Sequence, residues 1–497
     1  MKPFVLALLF SPFFVLGQVN LITSNLPIVV INTNGQTIMD DPRIVCDMGI
    51  IYNGVGVMNN INDPHNEYNG KISIEYRGST SQSMFPKKPY ALETQLANGD
   101  NNNVSILGLP TENDWILYSP YTDKTLMRNV LTFDICRKMG WYTSRTRYCE
   151  LVVNGDYRGV YVFMEKLKRD NDRIDIAKLD ADDLAGDSLT GGYIVKVDKF
   201  TGTGSWWDYW SSNYNTIGSG SALKIQYHYP EADDLFPQQK TYIESYVDSF
   251  ENALSATNFA DTSVGYAKYA NVNSFIDFYI INELAKDIDA YRLSTYMYKD
   301  KTSKGGKLTM GPYWDFNLAF GNADYCDGWL TSGWEVNTSC GDDNPFWFER
   351  LLEDTNYQNK LKCRWEGLRK TTLHKDSLFM FIDNLTIVLD SAQQRNFQKW
   401  NIIGTNVWPN YFIGNSYTEE IQFLKTWLSG RLSWMDLNMP GNCSEQPLFV
   451  LNETKQPKRK LLKMLDLLGR EVNEPTNLQI YLYIYDNGSV ERKSSLR

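Results

Sequence analysis

Asp287 and Asp289 stand two apart in Asp287-Ile288-Asp289, at the expected exit of a helix. Asp315 follows inside Gly311-Pro312-Tyr313-Trp314-Asp315-Phe316-Asn317. Phosphoryl transfer with Mg²⁺ needs one carboxylate to orient the hydroxyl nucleophile and another to hold metal against the phosphates. An element-terminal Asp and an Asp just after a strand suit these two roles. A capping Asp and a turn Asp look the same, and spacing alone leaves that plainer reading open. No His-Arg-Asp precedes Asp289 and no Asp-Phe-Gly stands at Asp315, so the pattern is not that of a conventional protein kinase.

A second group of polar residues, Arg77-Gly78-Ser79-Thr80-Ser81-Gln82, comes shortly before Lys87 and Lys88. Backbone N–H groups, hydroxyls and an ammonium in this order can receive a polyphosphate. The spacing matches neither a Walker A loop nor a kinase G-x-G-x-x-G. Gly and Ser dominate ordinary turns, so this segment too has a plain alternative. The run Glu165-Lys166-Leu167-Lys168-Arg169-Asp170 is either the edge of a site or a solvated charged face, and composition favours the face.

Other chemistries have little support. Only three histidines occur, His65, His228 and His374, with no H-E-x-x-H and no Ser or Cys nucleophile motif beside them. Seven scattered cysteines include no C-x-x-C, which leaves a zinc site without ligands. In an exported chain some of them would pair, and Cys326 with Cys340 is a plausible pair by loop length. The net charge of -10 argues against general nucleic-acid binding.

The elements that must position these groups are legible in outline. Met1-Lys2, the apolar run from Phe4 to Leu16 and the exit Gly17-Gln18 have the form of a secretory signal. No later stretch is long and apolar enough to suggest a membrane span. Short β-rich runs follow at Ile28 to Ile31, Gly56-Val57 and Ile72 to Tyr76, where Ile72, Ile74 and Tyr76 alternate with polar neighbours. Lys87 to Glu93 reads as a further strand. If Lys88, Tyr90 and Leu92 share one face of it, Lys87 points the other way, which favours Lys88 as a ligand-facing cation.

Lys124 to Met139 has helical spacing and ends at Gly140. Strands around Asn154-Gly155 predict a hairpin from Glu150 to Val162. Gly191 to Asp198 reads as a strand, and Thr201 to Gly220, rich in Gly, Ser and Trp, as a long loop. Gln238 to Leu254 and Ser274 to Lys286 predict helices, the second with a capping box from Ser274 to Asp277. A short strand from Leu308 to Pro312 precedes Asp315, and more helices run from Pro345 to about Leu437. A β-rich half followed by a helical half predicts an α+β class. The 31 Tyr and 14 Trp point to a large packed core.

Together, the ordered motifs resemble the spore-coat protein H (CotH) kinase-like family. They are Arg77-Gly78-Ser79-Thr80-Ser81 with Pro86-Lys87-Lys88, then Asp114-Trp115, Asp123-Lys124 and Arg128-Asn129. Asn154-Gly155-Asp156-Tyr157-Arg158-Gly159-Val160-Tyr161 with Glu165-Lys166, Gly191-Gly192-Tyr193, Asn282-Glu283 with Asp289, and Gly311-Pro312-Tyr313-Trp314-Asp315 with Phe320-Gly321 complete the set. Each motif is weak alone, and their order is specific. The resemblance implies an atypical, remotely protein-kinase-like fold and ATP-dependent phosphorylation of Ser or Thr in exported proteins, with Mg²⁺ or Mn²⁺. By position it implies Asp289, in competition with Asp287, as the catalytic carboxylate and Asp315 as the metal ligand. Asn317, where many members are acidic, would be a second metal ligand through its amide oxygen. Lys88 or Lys87 would bind phosphate, with Arg77, Ser79, Ser81 and Glu165 around the cofactor.

The last segment also carries a resemblance. Lys463-Met464-Leu465-Asp466-Leu467-Leu468-Gly469-Arg470-Glu471 and Tyr485-Asp486-Asn487-Gly488-Ser489-Val490-Glu491 are similar to type IX secretion sorting domains. This implies the type IX machinery as a partner and a secreted or cell-surface location. The expected organisation is a signal peptide at 1–17, a β-rich segment at 18–69, the kinase-like domain at 70–440 and a small sorting module at 446–497. The rival expectation is a catalytically silent surface protein, serving adhesion or glycan association on a kinase-like scaffold. The Trp206-Trp207-Asp208-Tyr209-Trp210 segment would suit stacking on sugars.

Overall fold

The computed structural model describes residues 19–200, 208–337, 340, 343–443, 461–466, 472, 474, 480–485 and 490–494. The expected export signal and Trp206-Trp207 lie outside them. Seven strands close into a barrel, in the spatial order Ile28–Asn32, Ile44–Ile51, Tyr68–Tyr76, Tyr90–Gln95, Asp114–Tyr118, Asp156–Glu165 and Thr146–Val153. A parallel pairing of the first and last of these strands closes it, with Val29 opposite Leu151. Alternate residues fill the interior, as a barrel requires: Cys46, Met48 and Ile50 from one strand, Ile72 and Ile74 from the next. Asp156–Glu165 is buried on both faces. Tyr161 and Phe163 enter the barrel core, while Val160, Val162 and Met164 join the main core outside it.

That outer core packs on the helix Arg128–Lys138 and on a five-stranded antiparallel sheet. The sheet runs Tyr209–Asn215, Ala222–Tyr229, Tyr193–Val197, Thr295–Lys299, Thr309–Met310. The helix Val272–Ala285 lies under this sheet, with every residue from Ser274 to Ala285 buried. Such a helix is largely apolar, as expected of one enclosed by the core, and its buried Asp277 and Glu283 are both ion-paired. Pro237–Ser255, Thr355–Arg369, Lys375–Lys399 and Tyr417–Asn438 supply the remaining long helices. The α+β class therefore holds, although strands from both halves of the chain share one sheet.

Several local expectations are corrected. No strand forms at Gly56-Val57; the neighbouring strand is Asn59–Asn60. Part of the expected 201–220 loop is the edge strand Tyr209–Asn215, stabilised by pairing with Ala222–Tyr229. Lys87 and Lys88 precede the strand Tyr90–Gln95 rather than lying on it, so the strand-face reasoning that favoured Lys88 does not apply. The Ser274–Asp277 capping box is absent, because the helix begins earlier, at Val272. Asp277 instead receives Trp141 Nε1 at 2.7 Å and pairs with Arg364 at 2.8 Å.

Disulfides join Cys326 to Cys340, as expected, and Cys363 to Cys443. Cys46, Cys136 and Cys149 are buried thiols. Near the C-terminus, Leu461–Asp466, Ile480–Tyr485 and Val490–Ser494 form a three-stranded antiparallel sheet. The 486–488 turn signal and residues 467–471 lie outside the described residues. Among the described residues, no helix is long and apolar enough to cross a membrane.

Candidate active site

A buried ion pair sets where Asp287 and Asp289 leave their helix. Arg431 Nε donates to the Glu283 carbonyl at 2.7 Å, and its guanidinium reaches the Glu283 carboxylate at 3.2 Å. Backbone N–H groups of Glu335 and Val336 and the Tyr291 hydroxyl also donate to that carboxylate. Lys286 then takes a left-handed conformation, φ 43°, which ends the helix and turns the chain toward Asp287.

Geometry separates the two aspartates that sequence alone left in competition. Asp287 is buried, and burial, then the charge of Asp289, push its carboxyl well above the usual range. Asp289 is half-buried and pairs with Arg292 at 2.8 Å. Burial raises its carboxyl too, but Arg292 and Lys199 oppose that shift. Asp289 thus combines access with cations that favour its charged form.

Asp315 comes from a separate segment, five positions after the strand Thr309–Met310. Phe316 N–H donates to Asn129 Oδ1 at 2.6 Å, and the Thr143 hydroxyl donates to the Tyr313 carbonyl at 3.0 Å, so the flanking backbone is held on both sides. Asp315 itself has φ 67°, a left-handed conformation uncommon outside glycine. A strained residue held by its neighbours is a frequent mark of a functional position. Its carboxylate accepts no hydrogen bond from the described residues. Burial raises it to about 6, with the charges of Asp289 and Asp198 adding and those of Arg77 and Lys199 opposing.

Asp198, Lys199 and Arg292 are members of this cluster that sequence reasoning missed. Asp198 follows the strand Tyr193–Val197 and receives the Ser294 N–H at 3.3 Å, five positions after Asp289. The available signal was an Asp-Lys pair at the end of a strand already legible in the sequence. Lys199 Nζ lies 3.4 Å from the Thr80 hydroxyl and so links the cluster to the Gly-Ser-Thr segment.

That segment is a short helix, Thr80–Met84, entered through Gly78 at φ 87°. A Cβ on Gly78 would meet Ser81 Oγ at 2.6 Å, so this turn excludes a side chain there. Arg77 lies over Trp314, with its guanidinium carbon 5.5 Å from the ring centroid, next to Asp315. Ser79 is exposed at the helix entrance and Ser81 half-buried in the first turn.

The remaining expected residues sit elsewhere. Lys87 is buried and donates to the Val160 carbonyl at 2.6 Å and to Asn396 Oδ1 at 2.8 Å; burial lowers its ammonium to about 7. Lys88 Nζ donates to the Gln82 carbonyl. Glu165 is no solvated face: it is fully buried and paired with Arg145 at 2.7 Å, with Tyr142 and Arg173 close by. Asn317 holds its carbonyl to Asn322 Nδ2 at 2.7 Å.

Among the described residues, no three His, Cys, Asp or Glu side chains converge tightly enough to hold a metal ion by themselves. Mg²⁺ commonly takes only one or two carboxylates, with phosphate and water completing its shell. Mutual repulsion within the Asp198, Asp287, Asp289 and Asp315 group is the electrostatic condition that a divalent cation would relieve. No curated protein matches the chain. A family model described as CotH kinase protein matches residues 74–435, a span that includes Arg77, the carboxylate cluster and the Glu283–Arg431 pair. The chain belongs to the CotH kinase protein family.

Proposed function

We propose that this protein is an atypical kinase that transfers the ATP γ-phosphoryl, with Mg²⁺, to Ser or Thr hydroxyls of exported proteins. The observation that carries the reading is an accessible, Arg292-supported Asp289 together with an Asp315 carboxylate that accepts no hydrogen bond from the described residues. Bound Mg²⁺ would neutralise charge on the phosphoryl oxygens. Asp315 would hold the metal, with Asp198 as the neighbouring carboxylate. Asp289 would accept the hydrogen bond of the incoming hydroxyl and orient it. Arg77 and Lys199 would meet phosphate oxygens beside the Gly78-Ser79-Thr80 turn. A kinase-like fold is part of this reading, and membership in the CotH kinase protein family supports it. Export through residues 1–17 and type IX sorting through residues 446–497 are part of the same proposal.

A thermal-shift titration with ATP and Mg²⁺ tests it. Ligand at about 100 times its dissociation constant should stabilise the folded chain by about 2.7 kcal/mol. The shift should require Mg²⁺ and vanish in Asp315→Ala. Asp289→Asn should keep the shift yet lose roughly 10² to 10⁴ of phosphoryl transfer. Absence of any Mg²⁺-dependent shift at millimolar nucleotide would overturn the reading.

A further inference from the structure

A cavity of about 250 Å³ opens at the barrel end beside Trp400. Lys88 and Arg158 line it, together with the rings of Tyr90, Tyr161 and Trp400, and among the described residues no Asp or Glu does. In a chain of net charge -10, a recess with two cations and no carboxylate is a marked local departure.

The cations are held in place yet under-used. Trp400 Nε1 donates to the Arg158 carbonyl at 2.8 Å, and the Tyr161 hydroxyl donates to the Lys88 carbonyl at 2.9 Å. Both backbones are thereby fixed. Arg158 Nε is buried without a hydrogen-bond partner among the described residues. Asp156 Oδ2 stands 3.4 Å from it as a loose ion pair, while Asp156 Oδ1 pairs with Lys399 at 2.6 Å. The Lys88 ammonium has three donors, of which the Gln82 carbonyl takes one. Thr33, Thr37 and Asn154 add neutral polar groups to the lining.

We propose that this cavity is a binding site for a phosphate-monoester or inorganic phosphate dianion, with Arg158 and Lys88 as its cationic partners. A guanidinium fork matches two oxygens of a tetrahedral anion, and a lysine ammonium supplies a point charge to a third. The site is independent of nucleotide binding at Asp315. Inorganic phosphate and a phosphorylated side chain present the same oxyanion.

Isothermal titration of the full chain with inorganic phosphate, a phosphoserine peptide and its unphosphorylated form tests this. Saturable binding should weaken at least about tenfold, or about 1.4 kcal/mol, in both Arg158→Met and Lys88→Met. Asp315→Ala should bind like the wild type. Tighter binding of the phosphopeptide than of phosphate supports a phosphorylated side chain as the source, and the reverse supports free phosphate. Arg158→Lys, which keeps the charge but not the fork, should fall between wild type and Arg158→Met, and serves if the methionine variant does not fold. No saturable binding of either phosphate probe at millimolar concentration would overturn the proposal. So would binding that Asp315→Ala removes or Arg158→Lys leaves unchanged.

Discussion

Arg77 lies over the face of Trp314, and Trp314 in turn stacks on Phe133 of the helix Arg128–Lys138. Through this stack the exit of a barrel strand is set against the segment that carries Asp315. The contact brings a cation toward a carboxylate that burial raises, and Arg77 is the first opposing charge acting on Asp315. Had the turn at Gly78 been displaced, the cluster would retain its repulsion and lose that balance.

Arg77→Ala should therefore weaken Mg²⁺-dependent nucleotide binding about 3- to 10-fold, as expected for losing a cation–π contact and a nearby charge. Arg77→Lys should recover part of the loss through charge alone. Thermal shift against ATP concentration measures both. A wild-type titration curve for Arg77→Ala would show that the turn has no part in the site.

The raised carboxyl of Asp315 carries a sign for stability. Its ordinary value is 3.8 and its folded value about 6. Across this window the folded chain binds more protons than the unfolded one, so its contribution to stability falls as pH rises from about 4 to 6 and stays lost above. Asp315→Asn removes that penalty. Without metal the variant should exceed wild type by roughly 1–3 kcal/mol at pH 7, and the difference should close near pH 4. Urea denaturation at the two pH values measures it. Equal destabilisation of Asp315→Asn at both would refute the electrostatic account.

Arg431 and Glu283 test the scaffold beneath the site. Both are fully buried, and Arg431→Met would leave a buried carboxylate without its cation. The expected cost is about 3–5 kcal/mol, with much of it recovered in the double variant Arg431→Met with Glu283→Gln. Chemical denaturation of the three variants provides the measurement. A loss below about 1 kcal/mol for the single variant would mean that the pair does not anchor the Asp287–Asp289 turn.

Residue types and local period determined much of this protein. Alternation at Ile72 and Ile74, the Asn154-Gly155 turn and the helical spacing of 274–286 specify strand, hairpin and helix, because each depends on neighbours within a few residues. The ordered motifs also carried the family and drew attention to Asp289, Asp315 and Arg77. Only tertiary structure decided what those motifs touch. Lys87 looked like a ligand cation beside Lys88, but its partner Asn396 is more than three hundred positions away. Glu165 belongs to Arg145 and not to solvent, and Asp198 joins the cluster through Ser294, across a sheet built from both halves of the chain. The fate of a charged side chain depends on which distant groups fold around it, since burial and pairing set its charge state. That information lies in the packing of the chain and not in the local pattern of its residues.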